Sequence, residues 1–375
     1  MYYALALIAA LRWPRKRFSD PPQPLQTPVS ILKPVRGRDP GFYECIRSHA
    51  AEQYSEFEIL FGMADPQDAA REDIERLAAE FPDRPIRVIV AAPGTPNGKA
   101  GLLAALADEA RYPILLVNDS DIEVQPGYLE QVVATLERPG VGLATCLYRA
   151  AGDSVASSWE ALGIATEFMP SILVARLLGQ NEFALGSTLA IRAADIERIG
   201  GFRVLGNYLA DDYQLGRRIC QLGYRIEFAP IVVRTRLGAA GWRDVWKHQK
   251  RWARTIRVSR PAGYCGYAVT HATVWAVVAA LAGAWKVALI TFALRMTAGL
   301  WVGAGILGDR QVLRRWPLIP LRDLLGFLVW ISALFGGSVE WRGRKFRLAS
   351  DGQIVSLEPE RELGHLSNSN SISST

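Results

Sequence analysis

Three carboxylates spaced two apart close the apolar run LLVNDSDIE at 115–123. Extended backbone puts alternate side chains on one face, so Asp119, Asp121 and Glu123 can converge there. Carboxylates crowded at a buried strand end repel one another and lose hydration, so they require a cation or another partner. An isolated Asp-x-Asp is also compatible with a solvated turn after a strand. A second acidic pair, Asp211 and Asp212 in LADDY, opens a helical stretch. Acids at a helix start fit capping and the macrodipole, or one of them is held as a general base.

Basic and aromatic residues supply the other candidates. Lys99 opens a helical stretch after GTPN, where it meets a phosphate or is simply solvated. WRDVWKHQKRWARTIR, at 242–257, reads as a basic aromatic helix with Lys247, Arg251 and Arg254 on one face. Trp252 lies four residues after His248, one turn along the same face. As a pattern alone, this helix fits the interface of a membrane.

Alternating strand-like and helix-like runs position these residues. VSILKPV (29–35), FEILFGM (57–63), IRVIVA (86–91) and PILLVND (113–119) read as strands, and helical spacing fills 39–53, 67–81 and 99–111. That order predicts an α/β fold with a mostly parallel sheet and helices on both faces. Ligands bind such sheets at the carboxyl ends of the strands, where the Asp65, Lys99 and Asp119 loops all fall.

Several classes are excluded. No GxGxxG follows the first strand, which argues against a dinucleotide oxidoreductase. GTPNGKAG imitates a P-loop, but only three residues separate Gly94 from Gly98, and Ala100 stands where Ser or Thr is needed. The four cysteines are scattered and form no CxxC, which fits a reduced, cytosol-facing globular part. The net charge of +6 is concentrated in clusters, three of which flank apolar segments, pointing to lipid headgroups before nucleic acid.

ILKPVRG, the Asp65 loop, NGKAGLL, DSDI, GSTLAIRAADIERIGGF, LADDY, HQKRW and VEWRGRKFRL follow one another in this order. Together they resemble, over nearly the whole chain, the processive-type nucleotide-sugar glycosyltransferases, in particular the ceramide glucosyltransferase branch. A bacterial branch that adds N-acetylglucosamine to hopanoids is almost equally similar. The resemblance implies a Rossmann-like domain of the GT-A type and inverting transfer from a UDP-sugar to a lipid hydroxyl, UDP-glucose to ceramide first. The alternatives are UDP-N-acetylglucosamine with a hopanoid acceptor, or a catalytically silent lipid-binding scaffold. It further implies that Asp65 holds the uridine and that Lys99 lies near the ribose or diphosphate. Asp119 and Asp121 would address the sugar and a Mg²⁺ or Mn²⁺ ion, Asp212 would be the base, and Arg251 and Trp252 would end the (Gln/Arg)-x-x-Arg-Trp motif. His248 stands at the first position of that motif on the donor side. It can donate a hydrogen bond to a phosphate but carries no fixed charge there. Lys247 and Arg254 are expected to serve membrane association, and Glu123 to be a solvated turn residue.

The expected division is a short hydrophobic anchor and Pro-rich linker at 1–28, then a cytosolic glycosyltransferase domain at 29–260. Membrane segments follow at 264–340, and a basic, then disordered, tail at 341–375. Residues 265–285 and 287–307 are long enough to span a bilayer. Arg295 in the second either snorkels or meets a partner helix. A third apolar stretch, 318–339, is expected to be partly re-entrant or interfacial, because a third crossing would strand the basic tail outside. The resulting picture is a multi-pass cell-membrane protein with its catalytic domain in the cytoplasm.

Overall fold

The computed structural model describes residues 1–13, 27–341 and 343–357. Eight strands are β1 Val29–Val35, β2 Phe57–Met63, β3 Ile86–Val90, β4 Ile114–Val117, β5 Ile122–Glu123, β6 Val141–Gly152, β7 Leu189–Arg192 and β8 Arg225–Gly238. They form one sheet in the order β3-β2-β1-β4-β7-β6-β8-β5. The first four are mutually parallel, and the crossovers carry the helices Phe42–Ala50, Ala70–Glu80 and Gly98–Asp108. The expected parallel sheet therefore holds for this half. The other half is mixed, since β7 runs antiparallel to β4 and β6 while β6 and β8 are parallel.

Both faces of the sheet are covered, which is why its strands are apolar runs with little alternation. Ile31, Ile59, Phe61 and Leu116 pack into one layer; Leu32, Leu60, Leu115 and Val117 pack into the other. β4 is short. Its pairing with β1 ends at Leu32↔Val117, whereas β1 and β2 stay paired to Val35↔Met63. The Asn118 amide makes the last bond, to the Leu32 carbonyl. Pro34, which has no N–H, shares the direction of Leu32 and so falls where β4 has already left the sheet. That early exit opens a notch at the middle of the sheet, and residues 118–121 turn into it.

The apolar helices differ from expectation in one respect. Trp285–Ile306 and Arg310–Leu334 are each long and apolar enough to cross a membrane. The break lies in the first segment instead of the third: Pro261–Thr270 and Ala272–Leu281 meet at 57° around His271. The third segment gains length by starting at Arg310, and its charged residues Arg322 and Asp323 are buried against protein. The N-terminal helix Tyr2–Arg12 joins this bundle, with Tyr3 and Ala6 packed against Val174, Ala272 and Ala298. Most of the expected linker at 20–28, and the tail beyond 357, lie outside the described residues.

Arg295 meets a partner and does not snorkel. It is fully buried and holds both oxygens of Asp323 at 2.6–3.0 Å, while its Nη1 donates to the Thr166 carbonyl at 2.9 Å. Gly299 makes the room, since a Cβ there would lie 2.8 Å from Arg295 Nη1. Removing one member of a buried pair strands the other charge, whereas replacing both with apolar groups is often neutral. Arg295→Met should therefore cost about 3–5 kcal/mol, and Arg295→Met combined with Asp323→Leu should recover most of it. Thermal unfolding in detergent micelles reads both; a double variant no better than the single one would contradict this.

Candidate active site

Lys99 ties together the two acidic motifs. Its Nζ lies 2.6 Å from Asp119 Oδ1 and 3.7 Å from Asp211 Oδ2. Its position follows from Asn97, which caps the helix Gly98–Asp108 by accepting from the amides of Lys99 and Ala100. Asn97 also donates from its side chain to the Tyr208 carbonyl and from its own amide to the Gly206 carbonyl, each at 2.8 Å. One asparagine thus fixes the lysine and the loop that leads into Asp211. Burial opposes the ammonium, but Asp119 and Asp211 more than offset this and raise its pKa.

Asp121 and Asp212 are the strained carboxylates. Asp121 accepts from the Thr235 hydroxyl of β8. Burial, and then the neighbouring Asp119, push its pKa up to about 6. Asp212 opens the helix Asp211–Gln221, where its Oδ1 accepts from the Tyr213 amide at 2.7 Å and its Oδ2 from the Gly186 amide at 3.0 Å. Burial and the adjacent Asp211 raise it to about 6, against the lowering influence of Lys99. Two backbone donors therefore fix the orientation of a carboxylate that gains a proton close to neutral pH.

A small second sheet supports this helix start. It consists of β9 Ser338–Trp341, β10 Arg344–Leu348 and β11 Ile354–Ser356. The Ile354 amide donates to the Asn207 carbonyl at 2.8 Å, and Leu209 packs against Phe346, Leu348 and Ile354. What reads in sequence as a basic tail is thus, up to Ser356, a brace under the LADDY motif.

The remaining candidates separate. Asp65 is exposed two residues beyond β2, on the same strand-end side, and accepts from the Gln67 amide. Arg251 and Trp252 lie on the helix Trp242–Ser259, with the Trp252 ring 4.7 Å from His248 and 5.7 Å from Phe168. His248 is engaged elsewhere: its Nδ1 is 2.6 Å from Glu160 Oε1, which also accepts from Gln249. Burial pushes the Glu160 carboxyl up, but these hydrogen bonds win and hold it low.

One expectation changes, and two basic residues gain partners. Glu123 is no solvated turn residue; it sits in β5 and pairs with Arg236 at 2.8 Å and Arg234 at 3.4 Å. Arg254 caps the end of the helix Ile319–Leu334, donating to the carbonyls of Phe335 and Ser338, and Lys247 pairs with Glu340 at 3.1 Å. Both therefore bind the second sheet and its approach.

Lys33 stands beside the candidate site, although ILKPVRG gave it no role. It is fully buried, and its Nζ reaches the Asp119 carbonyl at 3.4 Å. Burial pulls its pKa down to about 8, against the raising influence of Cys45, Asp119 and Asp121. A lysine inside the otherwise apolar VSILKPV was the available signal.

Among the described residues, no group of three or more His, Cys, Asp or Glu could hold a metal ion. Asp119 and Asp121 still fit one. They are hard oxygen donors, Asp121 is buried with its pKa raised by Asp119, and Mg²⁺ or Mn²⁺ commonly completes its shell with substrate phosphates and water.

With this geometry in place, comparison with known proteins is informative. The model of glycosyl transferase family 21 matches residues 1–354. Ceramide glucosyltransferase 1 of Caenorhabditis elegans is 22% identical over 351 residues, covering 89% of this chain and 74% of its own. Ceramide glucosyltransferase 3 of the same nematode is 23% identical over 347 residues, covering 87% and 74%. Mannosyltransferase PcManGT from Pyrobaculum calidifontis, solved with GDP-Man and Mn²⁺, superposes with a TM-score of 0.53 at 18% identity. The match covers 89% of this chain and 99% of that one, and it shows a common fold.

The raised carboxyls carry a stability consequence. The folded state binds the Asp121 proton more tightly than the unfolded chain, so this group lowers stability as pH rises from about 4 to about 6. Asp121→Asn should then stabilise the ligand-free protein in chelator at pH 7 by about 1–3 kcal/mol and have little effect at pH 4. Chemical denaturation at the two pH values checks this; destabilisation at pH 7 would contradict it.

Proposed function

The chain belongs to glycosyl transferase family 21, and from that membership we propose that it is an inverting, membrane-bound UDP-glucose:ceramide glucosyltransferase. The hexosyltransferase class follows from the family and its relatives, as do a nucleotide-sugar donor and a lipid acceptor. The observation that carries the finer reading is Asp212, a carboxylate oriented by two backbone amides and raised to about 6 by burial and Asp211, beside the Lys99-bridged acidic residues.

In this reading Asp212 removes the proton of the lipid hydroxyl as that oxygen attacks the anomeric carbon. The Gly186 and Tyr213 amides keep the carboxylate aimed while it takes the proton. Asp119 and Asp121 would hold Mg²⁺ or Mn²⁺, which supplies charge neutralisation at the leaving diphosphate. Lys99 stands in as counter-charge to Asp119 and transfers to phosphate when the donor arrives. Arg251 offers two parallel bonds to phosphate oxygens, which an ammonium cannot reproduce. Trp252 forms an apolar wall for the acceptor, and His248, held by Glu160, fixes that ring. Asp65, exposed just past β2, would hold the uridine. The chain works at the cytoplasmic side of the membrane in which its apolar helices sit.

Two experiments test this function. Asp212 must be ionised to act, so with saturating divalent ion the turnover should fall about tenfold per pH unit below about pH 6. Asp212→Asn should abolish transfer and keep UDP-glucose binding by calorimetry; near-normal transfer would refute the base. Turnover should also require a divalent ion and fall at least about 100-fold in Asp121→Ala. Full turnover in excess chelator would overturn the role given to the acidic loop.

A further inference from the structure

We propose that the turn joining the two long apolar helices forms, together with β6 and β8, a site for the phosphate of an anionic membrane lipid that is not a substrate. This site is independent of which lipid accepts the sugar.

Lys247 and Arg254, the basic residues expected at the membrane, are taken up by the second sheet and its approach. Unspent positive charge gathers elsewhere. Arg149 on β6 is paired in register with Arg234 on β8, so two guanidinium groups stand side by side on the sheet. Burial, and then Arg234, pull the Arg149 pKa down, as happens to a cation short of counter-charge. The turn 307–309 folds against them, with Arg149 Nη1 donating to the Gly308 carbonyl at 2.7 Å. Gly308 has a φ of 63°, which lets the chain reverse within so short a turn.

The carboxylates in reach do not balance this charge. Asp309 lies in the field of Arg149, Arg315 and Arg234, but its Oδ1 is spent on the Gln311 amide at 3.0 Å, where it caps the helix Arg310–Arg315. Glu123 already holds Arg234 and Arg236. Arg149, Arg234, Arg236 and Arg315 thus face only Asp309 and Glu123. Arg149 Nε, moreover, is buried without a hydrogen-bond partner, which is uncommon for a buried donor. Arg310 and Arg314, exposed one turn apart on the same helix face, add to the excess. A phosphate oxyanion is the complement, since a guanidinium can offer it two parallel bonds.

The apolar company of these arginines makes the phosphate lipid-borne. Leu313, Trp316 and Leu318 are exposed beside them, just before the apolar helix Ile319–Leu334. Tryptophan and arginine next to the end of an apolar helix suit the headgroup layer, where the ring sits at the boundary and the cation meets phosphate. A soluble phosphate or a nucleic-acid backbone would leave Leu313 and Trp316 in water. The site also adjoins the chemistry, because Thr235, the residue after Arg234 on β8, donates to Asp121. A lipid held here keeps the acidic loop close to the membrane surface.

The test uses the full chain in a neutral detergent, titrated with mixed micelles of phosphatidylglycerol or of phosphatidylcholine. A lipid that binds the folded state raises the unfolding midpoint. Phosphatidylglycerol should raise it, and phosphatidylcholine should not. Arg310→Gln with Arg314→Gln should keep the wild-type midpoint in neutral detergent, which shows that the variant folds. It should weaken phosphatidylglycerol binding by about fivefold for each charge removed. Arg71→Gln with Lys345→Gln removes the same charge elsewhere on the surface and should bind like the wild type. Equal weakening by the two pairs, or equal stabilisation by the two lipids, would overturn the site. Glycerol phosphate reproducing the whole effect at the same concentration would also overturn it, by assigning a soluble anion. A photoactivatable phosphatidylglycerol reads the place without any need for activity. Labelling of 307–318 in the wild type that Arg310→Gln with Arg314→Gln reduces supports the proposal, and no labelling there overturns it.

Discussion

An excess of negative charge at the end of β4 is the constraint on which the site depends. Asp119 and Asp211 share the Lys99 ammonium, Asp121 and Asp212 crowd beside them, and Lys33 is buried behind the Asp119 carbonyl. Such a cluster opposes folding, and burial makes it worse by removing water. The surroundings hold it in place with Asn97 below Lys99, Thr235 on Asp121 and two backbone amides on Asp212. In the function proposed above, a cation-loaded diphosphate would bring the charge that these residues lack. Binding and folding therefore pull in opposite directions at one place, as expected where a scaffold stores strain for function.

The membrane part solves a related problem by other means. Arg295 and Asp323 neutralise each other completely inside the bundle, with Thr166 satisfying the spare guanidinium bond. Thr166 belongs to the helical stretch that also carries Glu160 and Glu167. Its polar residues face the helix Trp242–Ser259 on one side and the apolar helices on the other. The second sheet adds another tie, because Arg254 and Lys247 grip it from the helix that bears Arg251 and Trp252. The large sheet, the helix Trp242–Ser259 and the apolar helices are thus connected by charged contacts as well as by packing.

Sequence reading succeeded where the signal was local. β1 to β4, the helix started by Asn97 and the acidic motifs at strand and helix ends are all set by nearby residues and emerge as read. It failed where tertiary partners decide. VGLATCLYRAAG, now β6, is buried on both faces by small residues and shows little alternation, so nothing local marks a twelve-residue strand. Glu123 looked solvated because Arg234 and Arg236, which neutralise it, arrive on β8 much later in the chain. His248 departs from its motif for a reason no motif contains, namely Glu160. VEWRGRKFRL alternates like a hairpin around Gly343, which adopts positive φ, but its basic residues suggested lipid.

The central claim is that one oriented carboxylate, Asp212, activates the acceptor for a single displacement at the anomeric carbon. The stereochemistry of the product tests this most directly. UDP-glucose carries its nucleotide on the α face, so proton NMR of the glucosyl lipid made by the purified protein should show the β anomer. An α-linked product would contradict a single displacement and, with it, the role assigned to Asp212.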